Sequence, residues 1–239
     1  MIVIRRSNER GRADHGWLDT RHTFSFADYH DARFMGFSKL LVLNQDRVVP
    51  GEGFPTHSHR DMEIVSYVIE GALEHQDSTG TRSQIRPGDV QLMSAGRGVT
   101  HSEFNPSQSD RLHFLQMWVL PARRGTSPRY EQRAFPESER RGALRLVVAP
   151  DGREGALTIG QDARLYAGLV DGAERVRFEL PEQRVAWLHV ARGEVALDGE
   201  RLDAGDGAAI SDARTIELAD GKGAEVALWD LPPVPRLTI

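Results

Sequence analysis

The sequence predicts an all-β fold built as two barrels in one chain, and three observations carry that prediction. Short apolar and β-branched runs recur at about 8–12 residue spacing, bounded by Gly, Pro and Asp turns. No helical pattern alternates with them, which argues for sandwiches or barrels and against a parallel sheet with crossover helices. The pattern of Ile64 to Leu92 also returns in Val185 to Ile210: a hydrophobic strand, x-Gly, a strand, a turn, then x-Gly-Asp-x and an apolar strand. The first copy has Glu70-Gly71 and Pro87-Gly88-Asp89-Val90; the second has Arg192-Gly193 and Ala204-Gly205-Asp206-Gly207. A chain of 239 residues suffices for one large domain or two small ones.

In order along the chain, Ile2 to Ile4 reads as a short strand and Asn8 to Trp17 as polar loop. His22 to Phe26 alternates polar and aromatic residues, a strand pattern. Phe37 to Asn44 is an apolar buried strand, and Pro50 to Gly53 is turn chemistry. Strands follow at Ile64 to Ile69, Ala72 to Gln76, Ser83 to Arg86, Val90 to Met93 and Leu112 to Leu120, with turns at Asp77 to Gly80 and Pro87 to Asp89. Pro121 to Gly142 turns polar, with several prolines and arginines, and reads as a solvated connector. The division is therefore 1–120 as an N-terminal barrel, 121–143 as linker and 144–239 as a C-terminal barrel. Leu144 to Val148, Arg164 to Leu169 and Val176 to Leu180 read as strands of the second unit. The C-terminal LPPVPRLTI is a proline-stiffened tail expected on the surface or across a barrel.

Composition excludes several classes. Net charge is −5, with no Lys/Arg block and no basic half, so sequence-independent nucleic-acid binding has no electrostatic footprint. The absence of cysteine excludes disulfides, thiolate metal sites and cysteine nucleophiles. No segment approaches 18 apolar residues, and the first residues hold too short an apolar run for a signal peptide, so a cytoplasmic, membrane-free protein is expected.

The chemistry concentrates in two pairs, His57-x-His59 and His101-x-Glu103. On a strand, residues i and i+2 point to one face about 6.5–7 Å apart. Each pair thus presents two ligand side chains on one side of a strand. If the strands are neighbours in a barrel, His57, His59, His101 and Glu103 converge on one divalent transition-metal ion. Such a donor set suits iron, manganese, cobalt, nickel, copper or zinc. Glu63, four residues beyond His59, would share that strand face, as a supporting residue or a spare ligand. His22, His30, His75, His113 and His189 stand alone and read as packed or surface residues. The second repeat copy lacks His-x-His, so its barrel is expected to be structural. Ser94 and Ser102 near His101 lack a G-x-S-x-G elbow, which argues against a hydrolytic triad. Gly96-Arg97-Gly98 reads as a tight turn.

These residues carry a family resemblance. Gly51, His57-x-His59, Glu63 and Gly71 are close to the first cupin motif; Gly88, Gly96, His101 and Asn105 resemble the second. The second departs from the usual pattern, with Ser94 where proline is usual and four residues between Gly96 and His101. That departure resembles the pirin family, as do Asp14-His15-Gly16-Trp17 through Tyr29, the block Thr56 to Gly71, Ser94 to Glu103 and, more loosely, Asp230-Leu-Pro-Pro233. The resemblance implies a bicupin, two cupin (jelly-roll-like) β-barrels face to face, with metal only in the first. It implies His57, His59, His101 and Glu103 as ligands and Fe(II) as the ion. It further implies that bacterial members act as quercetin 2,3-dioxygenases, opening a flavonol ring with O₂ and releasing carbon monoxide. In that activity Glu103 would serve as general base, and Phe24, Phe26, Phe54 and Met93 would wall the pocket. The alternative is a non-enzymatic, iron-dependent redox sensor and transcriptional co-regulator acting through protein partners. With two barrels already packed in one chain, a monomer is expected.

Overall fold

The computed structural model describes residues 1–233, and nearly all of its regular structure is strand. Strand β1 (Ile2–Arg5) precedes β2 (Gly11–Asp14), β3 (Leu18–His22), β4 (Leu40–Val48), β5 (Gly53–His59) and β6 (Glu63–Glu70). Then come β7 (Leu73–Asp77), β8 (Arg82–Ile85), β9 (Asp89–Ser94), β10 (Val99–Phe104), β11 (Leu112–Val119) and β12 (Arg129–Ala134). The first barrel sets a seven-stranded sheet, β12-β9-β6-β11-β4-β3-β2, against a four-stranded one, β5-β10-β7-β8. Leu18, Val48, Val68, Leu73, Ile85 and Phe114, drawn from both sheets, form the apolar core between them.

After the short helix α1 (Glu137–Arg140) come β13 (Leu144–Ala149), β14 (Leu157–Thr158), β15 (Arg164–Val170) and β16 (Val176–Glu179). The chain continues through β17 (Val185–Leu197), β18 (Glu200–Asp203), β19 (Gly207–Ile210) and β20 (Thr215–Leu231). These form one nine-stranded sheet with the path β1-β19-β17-β20-β15-β13-β14, β16 pairing with β20 and β18 with β17. The long strand β20 pairs with β16 through its first residues and with β15 through its last, so it turns the sheet around a second core that includes Val190, Leu202, Ile216 and Leu228.

The largest apolar cluster lies between the barrels. It joins Leu43, Val65, Tyr67, Leu115 and Met117 of the first to Val147, Leu165, Trp187 and Trp229 of the second. This explains the unbroken apolar runs in β6 and β11. Val65, Tyr67 and Ile69 face the other barrel, while Ile64 and Val68 belong to clusters inside their own. A strand buried on both faces has no reason to alternate. Burying each such side chain contributes roughly 1.5–3 kcal/mol, so the two barrels are held as one body.

The repeat is visible in backbone angles. Gly71 and Gly193 have φ of 78° and 75°, and Gly88 and Gly205 of 90° and 89°. A Cβ on Gly71 would also lie 2.6 Å from the Arg111 carbonyl oxygen, so both conformation and space require glycine there.

Several sequence expectations change. Segment 121–143, read as a linker, contains β12, which pairs with β9 and completes the first sheet. Its residues look like connector because β12 is a largely exposed edge strand. Strand β1 crosses to the second barrel and pairs with β19, Ile2 opposite Ile210. The Asn8–Trp17 loop includes β2, and the strand expected at His22–Phe26 ends at His22. Beyond it the chain turns at Ala27, at φ 49°. At the C-terminus, the Pro232 carbonyl accepts a hydrogen bond from Ser38 Oγ at 2.6 Å, so the chain crosses back to the first barrel. Residues 234–239 of the proline-stiffened tail lie outside the described residues. Among the described residues, no helix is long and apolar enough to cross a membrane.

Candidate metal centre

The centre is built from three neighbouring strands, β5, β10 and β7. In the β10–β5 ladder His101 stands opposite His57, and Val99 opposite His59. Two-residue alternation puts all three imidazoles on the inner face. Their ring centroids lie 4.4 Å (His57–His101), 4.8 Å (His57–His59) and 4.9 Å (His59–His101) apart. One nitrogen from each lies within 4.8 Å of the others. The ladder slips between His101 and Glu103, so that Glu103 faces Phe54 across an extra residue of β5. Such bulges re-aim side chains beside functional sites. Gly53 permits the approach: a Cβ there would sit 2.2 Å from the Glu103 carbonyl oxygen.

The protonation pattern suits a cation. His57 Nδ1 donates to the Pro55 carbonyl at 2.8 Å, which leaves Nε2 with its lone pair. His101 Nδ1 lies 3.5 Å from His75 Nδ1, and Gln91 Nε2 donates to that same His75 nitrogen at 3.3 Å. His75 Nε2 in turn donates to Asp77 Oδ2 at 3.0 Å. The consistent assignment is a relay in which His101 Nδ1–H points to His75, as donor roles in a network fix tautomers. His101 Nε2 is then a bare acceptor, buried and without a partner among the described residues. Burial, with the neighbouring His57 adding to it, lowers His59 to about 4. Burial and the surrounding histidines lower His101 to about 2. Neutral His59 and His101, the His57 ring beside them and a buried orphan nitrogen fit a divalent transition-metal ion.

Glu103 projects from the same face of β10 as His101. Its carboxylate groups with His101 and His75 rather than with His57 and His59. Gln116 Nε2 donates to Glu103 Oε2 at 2.6 Å, and Ser66 Oγ to Oε1 at 3.4 Å. Trp118 Nε1 donates to Gln116 Oε1 at 3.2 Å and so orients that amide. Burial pushes the Glu103 carboxyl up to about 7; a cation on the adjacent imidazoles would draw it back down.

Glu63 is not part of the cluster. It accepts from Ser94 Oγ at 2.7 Å and from the Gly160 amide at 3.2 Å, a tie to the second barrel. The sequence reading set Glu63 on the strand of His59, but the chain turns at Arg60–Met62 and β6 begins anew, with Glu63 on its opposite face. His75, read as a lone packed histidine, is packed, yet it touches His101. The signal was there in His75-x-Asp77, which repeats the i, i+2 spacing of the ligand pairs. Gln116 was equally legible as the one amide inside the apolar run Leu112–Leu120. Of the other lone histidines, His113 and His189 are buried near the barrel interface, His113 Nε2 lying 2.9 Å from Gln45 Nε2, and His22 bonds Asn44 Oδ1 through Nδ1 at 2.9 Å.

A cavity of about 740 Å³ opens over His57 and His59. Its walls include Trp17, Phe26, Phe54 and Trp118, and its polar edge includes Gln116, Thr20 and Asp46. Of the four expected wall residues, Phe26 and Phe54 line it. Phe24 instead packs between the barrels and Met93 in a separate buried cluster.

Comparison with known proteins places this arrangement. The family model Pirin matches residues 3–119, and the Quercetinase C-terminal cupin domain matches residues 146–231. A quercetin 2,3-dioxygenase of Escherichia coli (strain K12) is 47% identical over 98% of this chain and 100% of its own length. A pirin-like protein of Caulobacter vibrioides is 38% identical over 96% of this chain and 99% of its own. The crystal structure of YhhW from E. coli superposes with a TM-score of 0.94 at 47% identity, covering 99% of this chain and 100% of that one. That of the bacterial pirin YhhW in complex with nickel(II) gives 0.92, covering 98% and 100%. By sequence over nearly its whole length, and by two cupin barrels packed as described above, the chain belongs to the pirin family.

Proposed function

We propose that this protein is a metal-dependent dioxygenase that opens a flavonol such as quercetin with O₂ and releases carbon monoxide. The observation that carries the reading is the convergence of three imidazoles, two of which, His57 and His59, line an aromatic-walled cavity. Its full-length similarity to a quercetin 2,3-dioxygenase supports the same substrate class. His57, His59 and His101 would hold one divalent ion, with Glu103 as fourth ligand on the His101 side. We assign Fe(II), which the mixed nitrogen and oxygen donor set accommodates. When bound, such a cation supplies Lewis acidity that favours the anion of the flavonol 3-hydroxyl, and a route for reaction with O₂.

The chain's own groups do the rest. Trp118, Phe26 and Phe54 present flat apolar faces that hold planar rings and exclude water. Glu103 accepts the 3-hydroxyl proton, held in place by Gln116 and Ser66. His75 and Asp77 keep the His101 ring turned with Nε2 inward.

The experiment is metal analysis of the purified protein, followed by anaerobic addition of quercetin and then O₂, with flavonol absorbance as readout. Stoichiometric metal with O₂-dependent bleaching, both lost in His57→Ala and His101→Ala, is the expected result. Bleaching by a metal-free variant overturns the mechanism. Stoichiometric metal without turnover of any flavonol shifts the assignment to the non-enzymatic sensor.

A further inference from the structure

Among the described residues, the buried carboxylates are engaged with one exception. Glu63, Asp77, Glu103, Asp206, Glu225 and Asp230 each accept hydrogen bonds from named donors. Asp46 is 3% exposed, yet its Oδ1 has no hydrogen-bond partner among the described residues. Directly opposite it in the β3–β4 ladder stands Thr20. The Thr20 hydroxyl is also buried and without a partner among the described residues. It lies close enough to favour the charged carboxylate, yet neither its oxygen nor Asp46 Oδ1 meets hydrogen-bonding geometry among the described residues. Both side chains face the 740 Å³ cavity. Burial pushes the Asp46 carboxyl up to about 7, Thr20 and Arg10 pulling the other way and Asp19 adding to the rise.

An unpaired buried carboxylate is costly, and native proteins seldom retain one without a use. The cavity supplies the use. Asp46 lies on β4 two residues from Asn44, which stands opposite Gln116, the residue that holds Glu103. The orphaned acceptor is therefore on the wall adjoining the metal centre, in the same chamber as His57 and His59. A ligand that fills an aromatic-walled chamber and satisfies a carboxylate must be flat and must carry an O–H or N–H donor away from the atom at the metal. A site built to pair with a hydroxyl strongly rejects the analogue that lacks it.

We propose that Asp46, with Thr20 beside it, forms an acceptor subsite for a phenolic hydroxyl of the substrate other than the one at the metal. It thereby selects polyhydroxylated flavonols over the unsubstituted ring system. The inference rests on the flavonol reading above. Asp46 is a specificity residue in it, and the proton-accepting role stays with Glu103.

The test is anaerobic binding of quercetin and of 3-hydroxyflavone to the metal-loaded protein, followed by tryptophan fluorescence and calorimetry. 3-Hydroxyflavone keeps the hydroxyl at the metal and lacks the others. The wild type should prefer quercetin by about 10–100-fold, the worth of one hydrogen bond to a charged group. Asp46→Leu should bring the two ligands to within about 3-fold, mainly by weakening quercetin. Asp46→Asn and Thr20→Val, which keep the side-chain volume and guard against a misfolded leucine variant, should each cut the preference by about 3–10-fold. An unchanged preference in the folded variants, or no preference in the wild type, overturns the subsite while leaving the flavonol reading intact. Failure of the wild type to bind either flavonol overturns both.

Discussion

At the residue scale, the tautomer of His101 is set by a neighbour outside the proposed ligand set. His75 receives the His101 Nδ1–H and passes the polarity to Asp77. Removing such outer partners typically costs 10–100-fold in metal affinity. His75→Phe should therefore weaken metal binding by about 10–100-fold in a chelator competition, with His57 and His59 intact; equal affinity would show that the relay does not orient His101. Asp46 makes a second residue-scale prediction. Its folded carboxyl titrates near 7 and its unfolded one near 3.8. Between those values the folded protein holds a proton that the unfolded chain has released, so stability falls as pH rises through the window. Asp46→Asn removes that slope. The variant should gain on the metal-free wild type from pH 4 to 7, by up to about 4 kcal/mol, and run parallel above it. Urea midpoints at pH 5 and pH 8 measure the difference, and an equal gap at both would refute the assignment.

At the element scale, the centre depends on how closely β5 approaches β10. Register puts His57 opposite His101, and beyond the bulge in β5 Glu103 stands opposite Phe54 on one side and His75 of β7 on the other. Gly53 sets the separation, because no Cβ fits against the Glu103 carbonyl. Gly53→Ala should lower metal content and turnover together, with the far-UV signature of the strands kept, since a Cβ 2.2 Å from the Glu103 carbonyl oxygen forces β5 and β10 apart. Full metal occupancy in that variant would show that the approach is not limiting. The same element-scale logic explains Glu63. Counting four residues from His59 assumes one continuous strand, and three loop residues are enough to send the next strand's first side chain to the other face.

At the scale of the whole molecule, stability lies between the barrels. Trp229 is fully buried there and its Nε1–H points to Met117 Sδ at 3.2 Å. Trp229→Ala should cost about 3–5 kcal/mol. It should lower the melting temperature of both barrels together, because the cavity opens in the core they share. Two separate transitions in the wild-type calorimetric trace would contradict this single cooperative unit. β1, which starts the first half of the chain and pairs in the second, ties the halves further. The barrel that carries the histidines is thus braced from behind by one that carries none of the cluster.

The strand periodicities, the turn glycines and the repeat were enough to place two β units and to put His57, His59, His101 and Glu103 on inward faces. Those are local properties, set by alternation within one strand, and a single sequence contains them. What only the tertiary structure decided is non-local. Cross-strand register made His75 the neighbour of His101, put Thr20 opposite Asp46, and stacked β6 and β11 against a second barrel. It also moved β12 out of the linker and β1 into the other domain. Alternation says which residues share a face; it does not say which strand lies alongside, and a metal centre or a substrate pocket is made by strands that lie alongside each other.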